Sequence, residues 1–188
     1  MATLLNRLVA HLDAIDYDSL SPHAVAAAKR ALLDALGCAI AAIGCEPAAI
    51  AGRAVPRGEP AATVIGDAHT ASLERAVLLN GILVRYLDMM DVYSARDVCH
   101  PAENVPLALA CVEQSGGNGA RLIEAIVAGY EAQMRLAHAL SLQQMGMHHV
   151  TAGGMVAPLV IAKAWRLSRD VAEQAAALGG CRQFAVHA

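Results

Sequence analysis

Aromatic residues, lysines and basic runs are scarce in this sequence, and each shortage argues against a class of protein. Phenylalanine, tyrosine and tryptophan make up only 3% of the 188 residues, so the side chains that favour β-strands are few. The 14 basic residues are scattered and the formal net charge is −3. No cluster of positive charge is present to grip phosphates, and we therefore expect no nucleic-acid partner.

The cysteines offer no framework of disulfides or metal ligands. Their number, five, is odd, and no two have the Cys-x-x-Cys spacing of a zinc or iron–sulfur site. We interpret them as small buried hydrophobic residues in a reducing compartment. The amino terminus lacks a signal-peptide pattern, and the uncharged stretch Ala35–Cys45 is far shorter than the ~20 residues of a membrane span. The sequence thus predicts a cytoplasmic protein without a membrane partner.

The abundant residue types in this sequence favour helices. Hydrophobic residues make up 56% of the chain and are mostly alanine, leucine and valine. Periodicity and capping signals, such as Ser21-Pro22 and Thr70, predict an all-α bundle of seven to eight helices in one domain over residues 1–188. At most one very short strand is expected, at Thr63–Ile65, and residues 92–101 are predicted to be a loop. The helices are expected at about 2–15, 22–43, 47–54, 72–91, 103–114, 119–142, 151–165 and 169–178.

The carboxyl-terminal end breaks the helical pattern. After Gly180 the periodicity is lost in CRQFAVHA, and an apolar domain that stops so abruptly suggests missing sequence. A natural flexible terminus is the alternative.

Two groups of residues are candidates for acid–base chemistry. Asp88 and Asp91 are three residues apart at the predicted end of a helix, which would place them on one face. His100-Pro101 follows in a loop, where proline restrains the backbone. His148 and His149 precede a stretch of small residues that would let a ligand approach. A capped helix with a surface histidine, and a histidine with a purely structural role, are the respective alternatives.

Other patterns are weaker candidates. A third cluster contains Tyr130, Glu131 and Arg135; the last two are spaced as an intrahelical ion pair, and that pair is assigned to structure. Cys99, beside His100, is the one thiol considered as a nucleophile. A metal site could be made from four residues, Asp88, Asp91, His100 and His149. However, no HExxH pattern supports such a site. We therefore expect no metal and no cofactor.

Four segments, in order, carry a resemblance to a known family. They read AKRALLDALGCAIA, NGILVRYLDMMDVYSARDVCHPAENVPLALA, IEAIVAGYEAQMRLAHAL and MGMHHVTAGGMVAPLVIAKAWRL. Together they resemble the 2-methylcitrate dehydratase family, also called MmgE/PrpD, over about residues 21–178. The resemblance implies a large helical domain followed by a smaller α/β domain, a homodimer, and a lyase that acts on a small polycarboxylic acid.

The same resemblance implies roles for particular residues. Asp88, His100 and His149 stand at positions implicated in proton transfer or carboxylate binding, and form the expected catalytic set. Asp91, Tyr93 and Thr151 form the expected substrate-binding set. The chain is expected to be an incomplete amino-terminal domain that lacks the α/β domain.

Departures from the family pattern leave the reaction open. Met90 and Val92 stand where relatives carry polar residues, and neither Lys29 nor Lys163 matches a lysine of the family's pocket. β-Elimination from a citrate-like hydroxy acid is the leading hypothesis, although the short chain itself is expected to be weak or inactive. Decarboxylation or epimerisation of a small polycarboxylate, and a non-catalytic helical binding module, are the alternatives.

Overall fold

The computed structural model describes residues 2–182, and eight α-helices account for most of them. The predicted all-α bundle is confirmed. The stretch after Gly180 that breaks the pattern lies almost wholly outside the described residues. The helices are α1 (Leu4–Asp13), α2 (Pro22–Ala41), α3 (Glu46–Ala54), α4 (Leu73–Tyr86), α5 (Asn104–Gln114), α6 (Gly119–Ala139), α7 (Gly153–Trp165) and α8 (Arg169–Arg182).

Polar side chains cap several helix starts, as local sequence signals predict. Ser21 accepts a hydrogen bond from the backbone N–H of Ala24 at 3.1 Å, and Pro22 occupies the first turn of α2. The predicted cap at Thr70 is wrong, because Ser72 caps α4 by accepting from Arg75 at 3.4 Å. Thr70 instead belongs to a short strand, whose pairing ends two residues before the helix begins.

Two small antiparallel pairs of strands replace the single strand that the sequence predicted. β1 (Ala62–Thr63) pairs with β2 (Thr70–Ala71), and β3 (Tyr93–Ser94) pairs with β4 (Val98–Cys99) within the predicted loop. Each strand has only two residues, which is too short for alternation to be visible in sequence. The second pair of strands positions His100, which directly follows β4 in the chain.

The core is built from close contacts between α5, α6 and α7. Ala108, Ala128 and Ala132 are fully buried, and small side chains of this kind let helix axes approach. At Gly129 on α6, an added Cβ would lie 2.9 Å from the Cβ of Asn104 and 2.9 Å from a methyl group of Val160. The close approach brings α6 directly under the segment that follows His100.

Within residues 2–182, no single helix is long and apolar enough to cross a membrane. The pair α2 and α3 meets that length and composition criterion only when taken together, and the two helices are bent by 87° at their junction.

We predict that Gly129→Ala destabilises the protein, because the new methyl group overlaps Asn104 and Val160 in a packed core. The expected loss in free energy of unfolding is about 1–3 kcal/mol, measured by urea denaturation. Gly37→Ala is the matched control, since nothing lies within 4 Å of its Cβ position on α2. The control should gain roughly 0.5–1 kcal/mol from helix propensity. Equal effects at both positions would contradict the described packing.

Candidate active site

Two of the predicted catalytic residues meet in one place although they are 49 positions apart in sequence. His100 follows β4, and His149 begins a short 3₁₀ helix (His149–Ala152) that leads into α7. Their rings pack edge to face with centroids 5.2 Å apart. The ring of His148 lies 4.1 Å from that of His149, so three imidazoles form a continuous group, which we call the histidine cluster.

The orientation of His100 is fixed by Asp91. The Nδ1 atom of His100 lies 3.0 Å from the main-chain oxygen of Asp91. A carbonyl oxygen only accepts hydrogen bonds, so Nδ1 must carry the proton. Neutral His100 is therefore the Nδ1-protonated tautomer, and its Nε2 atom retains the lone pair of a base.

The side chain of Asp91 is also engaged by protein donors. Its Oδ1 accepts from the backbone N–H of Ala102 at 2.9 Å, and its Oδ2 accepts from the hydroxyl of Tyr130 at 2.6 Å. The prediction that Asp91 binds substrate stays a prediction. These contacts favour a role in holding the loop around His100.

Asp88 lies on a different face from Asp91, contrary to the shared face that the sequence predicted. The helix ends at Tyr86, five residues before the predicted end, and Asp88 adopts a left-handed conformation with φ of 52°. Aspartate tolerates that region better than most residues. The left-handed turn directs the Asp88 side chain to solvent, with 72% of it exposed.

Arg85, which sequence reasoning did not select, is the cation of the site. It forms an ion pair with Asp88, and its Nε atom lies 3.3 Å from Oε1 of Glu103. The hydrogen bond and charge of Arg85 lower the pKa of Asp88. Burial raises the pKa of Glu103 despite the nearby guanidinium. Arg85 is thus flanked by two carboxylates, and it is close enough to His149 for its charge to lower the pKa of that histidine.

His149 is held in its neutral form. Burial, followed by the charges of His148, His100 and Arg85, lowers its pKa to about 4, although Asp97 acts in the opposite direction. Its Nε2 atom is buried and has no hydrogen-bond partner among the residues that the structure describes. A buried acceptor or donor without a partner is uncommon in proteins and marks a place where a ligand or water would bind.

Asp97 is a second residue that the sequence analysis missed. Its carboxylate is buried and accepts backbone hydrogen bonds from Leu142 at 2.6 Å and Val98 at 2.8 Å. It therefore joins the hairpin before His100 to the loop that leads to His149. No local pattern marks such a contact, because its two ends are 45 residues apart.

Two other residues, Tyr93 and Thr151, are predicted to bind substrate. In the structure, Tyr93 has a protein partner and Thr151 is buried. The hydroxyl of Tyr93 hydrogen-bonds Nε2 of His138 at the end of α6. Thr151 is 2% exposed within the 3₁₀ helix. Their assignment to substrate binding stays a prediction.

Three other interpretations of the sequence concern an ion pair, a thiol and a metal site. Glu131 and Arg135 form the predicted ion pair along α6, with 2.7 Å between their charged atoms. Burial raises the pKa of Cys99 to about 11, so its thiol is protonated at neutral pH and is a poor nucleophile. Within residues 2–182, no three metal-ligating side chains are grouped to hold an ion.

Comparison with known proteins assigns the chain to a family. Residues 6–187 match the MmgE/PrpD N-terminal domain, and the chain therefore belongs to the MmgE/PrpD family. It is 28% identical over 171 residues to 2-methylcitrate dehydratase of Cupriavidus necator, a match that covers 82% of this chain and 34% of that protein.

Two further relatives are similar at the same level. A probable 2-methylcitrate dehydratase of Saccharomyces cerevisiae is 26% identical over 76% of this chain and 31% of its own length. A 2-methylcitrate dehydratase-like protein, oryR, of Aspergillus oryzae is 29% identical over 85% of this chain and 36% of its own. The chain thus spans about a third of the length of the curated relatives that it matches.

We predict that His149 makes stability depend on pH. The unfolded chain takes up a proton at this residue as the pH falls below 6.5, whereas the folded chain does so only near pH 4. Its contribution is therefore fully present above pH 6.5 and decreases as the pH falls, by up to about 3 kcal/mol. His149→Gln should lose less stability than the wild type between pH 6.5 and 4, as measured by chemical denaturation.

The exposed His23, at the start of α2, supplies the control for this experiment. His23→Gln should follow the wild-type curve. Identical acid sensitivity in His149→Gln and the wild type would contradict a buried neutral His149.

Proposed function

We propose that the histidine cluster performs the acid–base chemistry of water elimination from a small hydroxy-polycarboxylic acid of the 2-methylcitrate or citrate type. The observation that carries the proposal is the contact of His100, whose Nε2 carries the ring's lone pair, with neutral His149, whose buried Nε2 has no hydrogen-bond partner within residues 2–182. The family and the printed names of its relatives supply the substrate class.

The base in this scheme is His100. Elimination requires removal of a proton from the carbon next to a carboxylate, together with protonation of the departing hydroxyl group. Because Nδ1 of His100 donates to the carbonyl of Asp91, Nε2 is the atom that accepts the substrate proton. The Asp91 contact also disperses the positive charge that develops on the imidazole.

The acid in this scheme is His149, which the substrate itself activates. A bound polycarboxylate brings negative charge next to the imidazole, and nearby negative charge raises the pKa of a histidine. His149 then carries a proton that it gives to the leaving hydroxyl, and water departs as the carbon–carbon double bond forms. His100 gains one proton and His149 loses one, so the two residues exchange protons with solvent before the next cycle.

Arg85 is the proposed anchor for a substrate carboxylate. Guanidinium groups bind carboxylates through two parallel hydrogen bonds, and Arg85 already contacts Asp88 and Glu103. Asp88 is the exposed partner, so it is the one that a substrate carboxylate would displace. In this scheme the Asp88 carboxylate, once released from Arg85, orients the hydroxyl-bearing end of the substrate.

We predict that His100→Asn lowers kcat for 2-methylcitrate or citrate dehydration by about 10²–10⁴-fold, the usual contribution of a general base. The asparagine amide preserves a donor near the carbonyl of Asp91 but has no base at the Nε2 position. Alkene formation would be followed by ultraviolet absorbance and water loss by mass spectrometry. Release of carbon dioxide in place of alkene formation would favour decarboxylation.

His23→Asn is the control and should retain the wild-type rate. An unchanged rate in His100→Asn would contradict the assignment of the base. Binding of tricarballylate, a citrate analogue without the hydroxyl group, is measured in parallel by calorimetry. A wild-type chain that neither turns over the acids nor binds tricarballylate would favour the non-catalytic module.

We further propose that the chain self-associates as a homodimer through an apolar stripe on α2 and the turn that follows it. Leu33 is 71% exposed, Ile40 60% and Ile43 50%, and large apolar side chains grouped on a surface commonly mark an interface.

We predict that Leu33→Lys converts the dimer to a monomer, as measured by sedimentation velocity, because a charged side chain would be buried at the interface. The control, Leu4→Lys, alters a leucine on α1 that is 80% exposed, and it should leave the sedimentation unchanged. A monomeric wild type would contradict the homodimer.

A further inference from the structure

Tyr130 connects helix α6 to the loop that carries the histidine. Its hydroxyl donates to Oδ2 of Asp91 at 2.6 Å, a short hydrogen bond of the kind formed between a hydroxyl and a charged carboxylate. The other oxygen of that carboxylate accepts from Ala102, two residues beyond His100. One carboxylate therefore fastens both ends of the segment 91–102 to a rigid helix of 21 residues.

The main chain at residue 91 then determines the state of His100. The carbonyl oxygen of Asp91 is 3.0 Å from Nδ1 of His100, and this contact selects one of the two neutral tautomers. If the Asp91 side chain is released, its carbonyl group is free to rotate away from the ring. The hydroxyl of Tyr130 thus lies at the start of a chain of contacts that ends at the proposed base.

Tyr130 remains a donor across the usual pH range. Burial, followed by the hydrogen bond and charge of Asp91, raises the pKa of its phenol far above the ordinary value. The phenol therefore stays protonated and donates to Asp91.

We infer that Tyr130 is a positioning residue, which acts through Asp91 to hold His100 in the Nδ1-protonated tautomer with Nε2 available as a base. The inference rests on the proposed function for the role of His100 in the reaction, but the tautomer itself is a property of the protein without substrate. The partner of Tyr130 is 39 residues away in the chain, so no local sequence pattern indicates this role.

The packing around Tyr130 makes a conservative substitution informative. Its ring borders an apolar groove of about 180 Å³ between α2 and α6. Phenylalanine fills the same volume, so Tyr130→Phe removes the hydroxyl and leaves the packing unchanged. The other residues along the groove are Ala24, Ala27, Ala28, Ala31, Ile126, Val127 and Glu131.

The experiment measures the ring nitrogens of His100 by ¹⁵N NMR at neutral pH in the wild type, in Tyr130→Phe and in the control Tyr86→Phe. Tyr86 is half exposed at the end of α4, so its variant should resemble the wild type. We expect one tautomer in the wild type and a mixture of both in Tyr130→Phe. Where turnover is measurable, kcat should fall about 10- to 100-fold with little change in KM, as for a displaced catalytic group.

A wild-type His100 spectrum in a folded Tyr130→Phe would overturn the inference. If Tyr130→Phe does not fold, Asp91→Asn replaces it, since an amide cannot serve both donors as a carboxylate does. A normal tautomer in folded Asp91→Asn would then overturn the inference. A changed tautomer in a chain that eliminates no water would support the positioning role and count against the proposed function alone.

Discussion

The candidate site depends on the hydrogen bonds that converge on Asp91. Its main-chain oxygen orients His100, and its carboxylate joins Ala102 and Tyr130. These contacts turn an irregular segment between α4 and α5 into a fixed platform. Acid–base catalysis requires such a platform, because the lone pair of the base must remain aimed at one substrate proton.

The electrostatics of the site suit a ligand that brings its own negative charge. His149 is neutral because it is buried among groups that carry or can acquire positive charge, and Arg85 is balanced by Asp88 and Glu103. A polycarboxylate would replace the exposed Asp88 at Arg85 and would raise the pKa of His149. Ligand binding and protonation of His149 would thereby be linked.

Local features of the structure could be predicted from sequence, and long-range ones could not. The Ser21 cap and the Glu131–Arg135 ion pair depend on neighbours three or four residues away, and both were predicted. The prediction that Asp88 and Asp91 share one face was wrong because α4 is followed by a left-handed turn at Asp88. No glycine is present there to indicate such a turn in the sequence.

The meeting of His100 with His149 followed from the family resemblance, since spacing alone gives no contact over 49 positions. Asp97 and Tyr130 are ordinary residues in sequence and acquire their roles only through tertiary hydrogen bonds. The most direct test is a crystal structure of the chain with tricarballylate bound. We expect one ligand carboxylate on Arg85 and a ligand methylene carbon about 3–3.5 Å from Nε2 of His100, the distance of a reacting pair. Tricarballylate bound elsewhere, with the histidine cluster uncontacted, would contradict the assignment of this cluster as the site of acid–base chemistry.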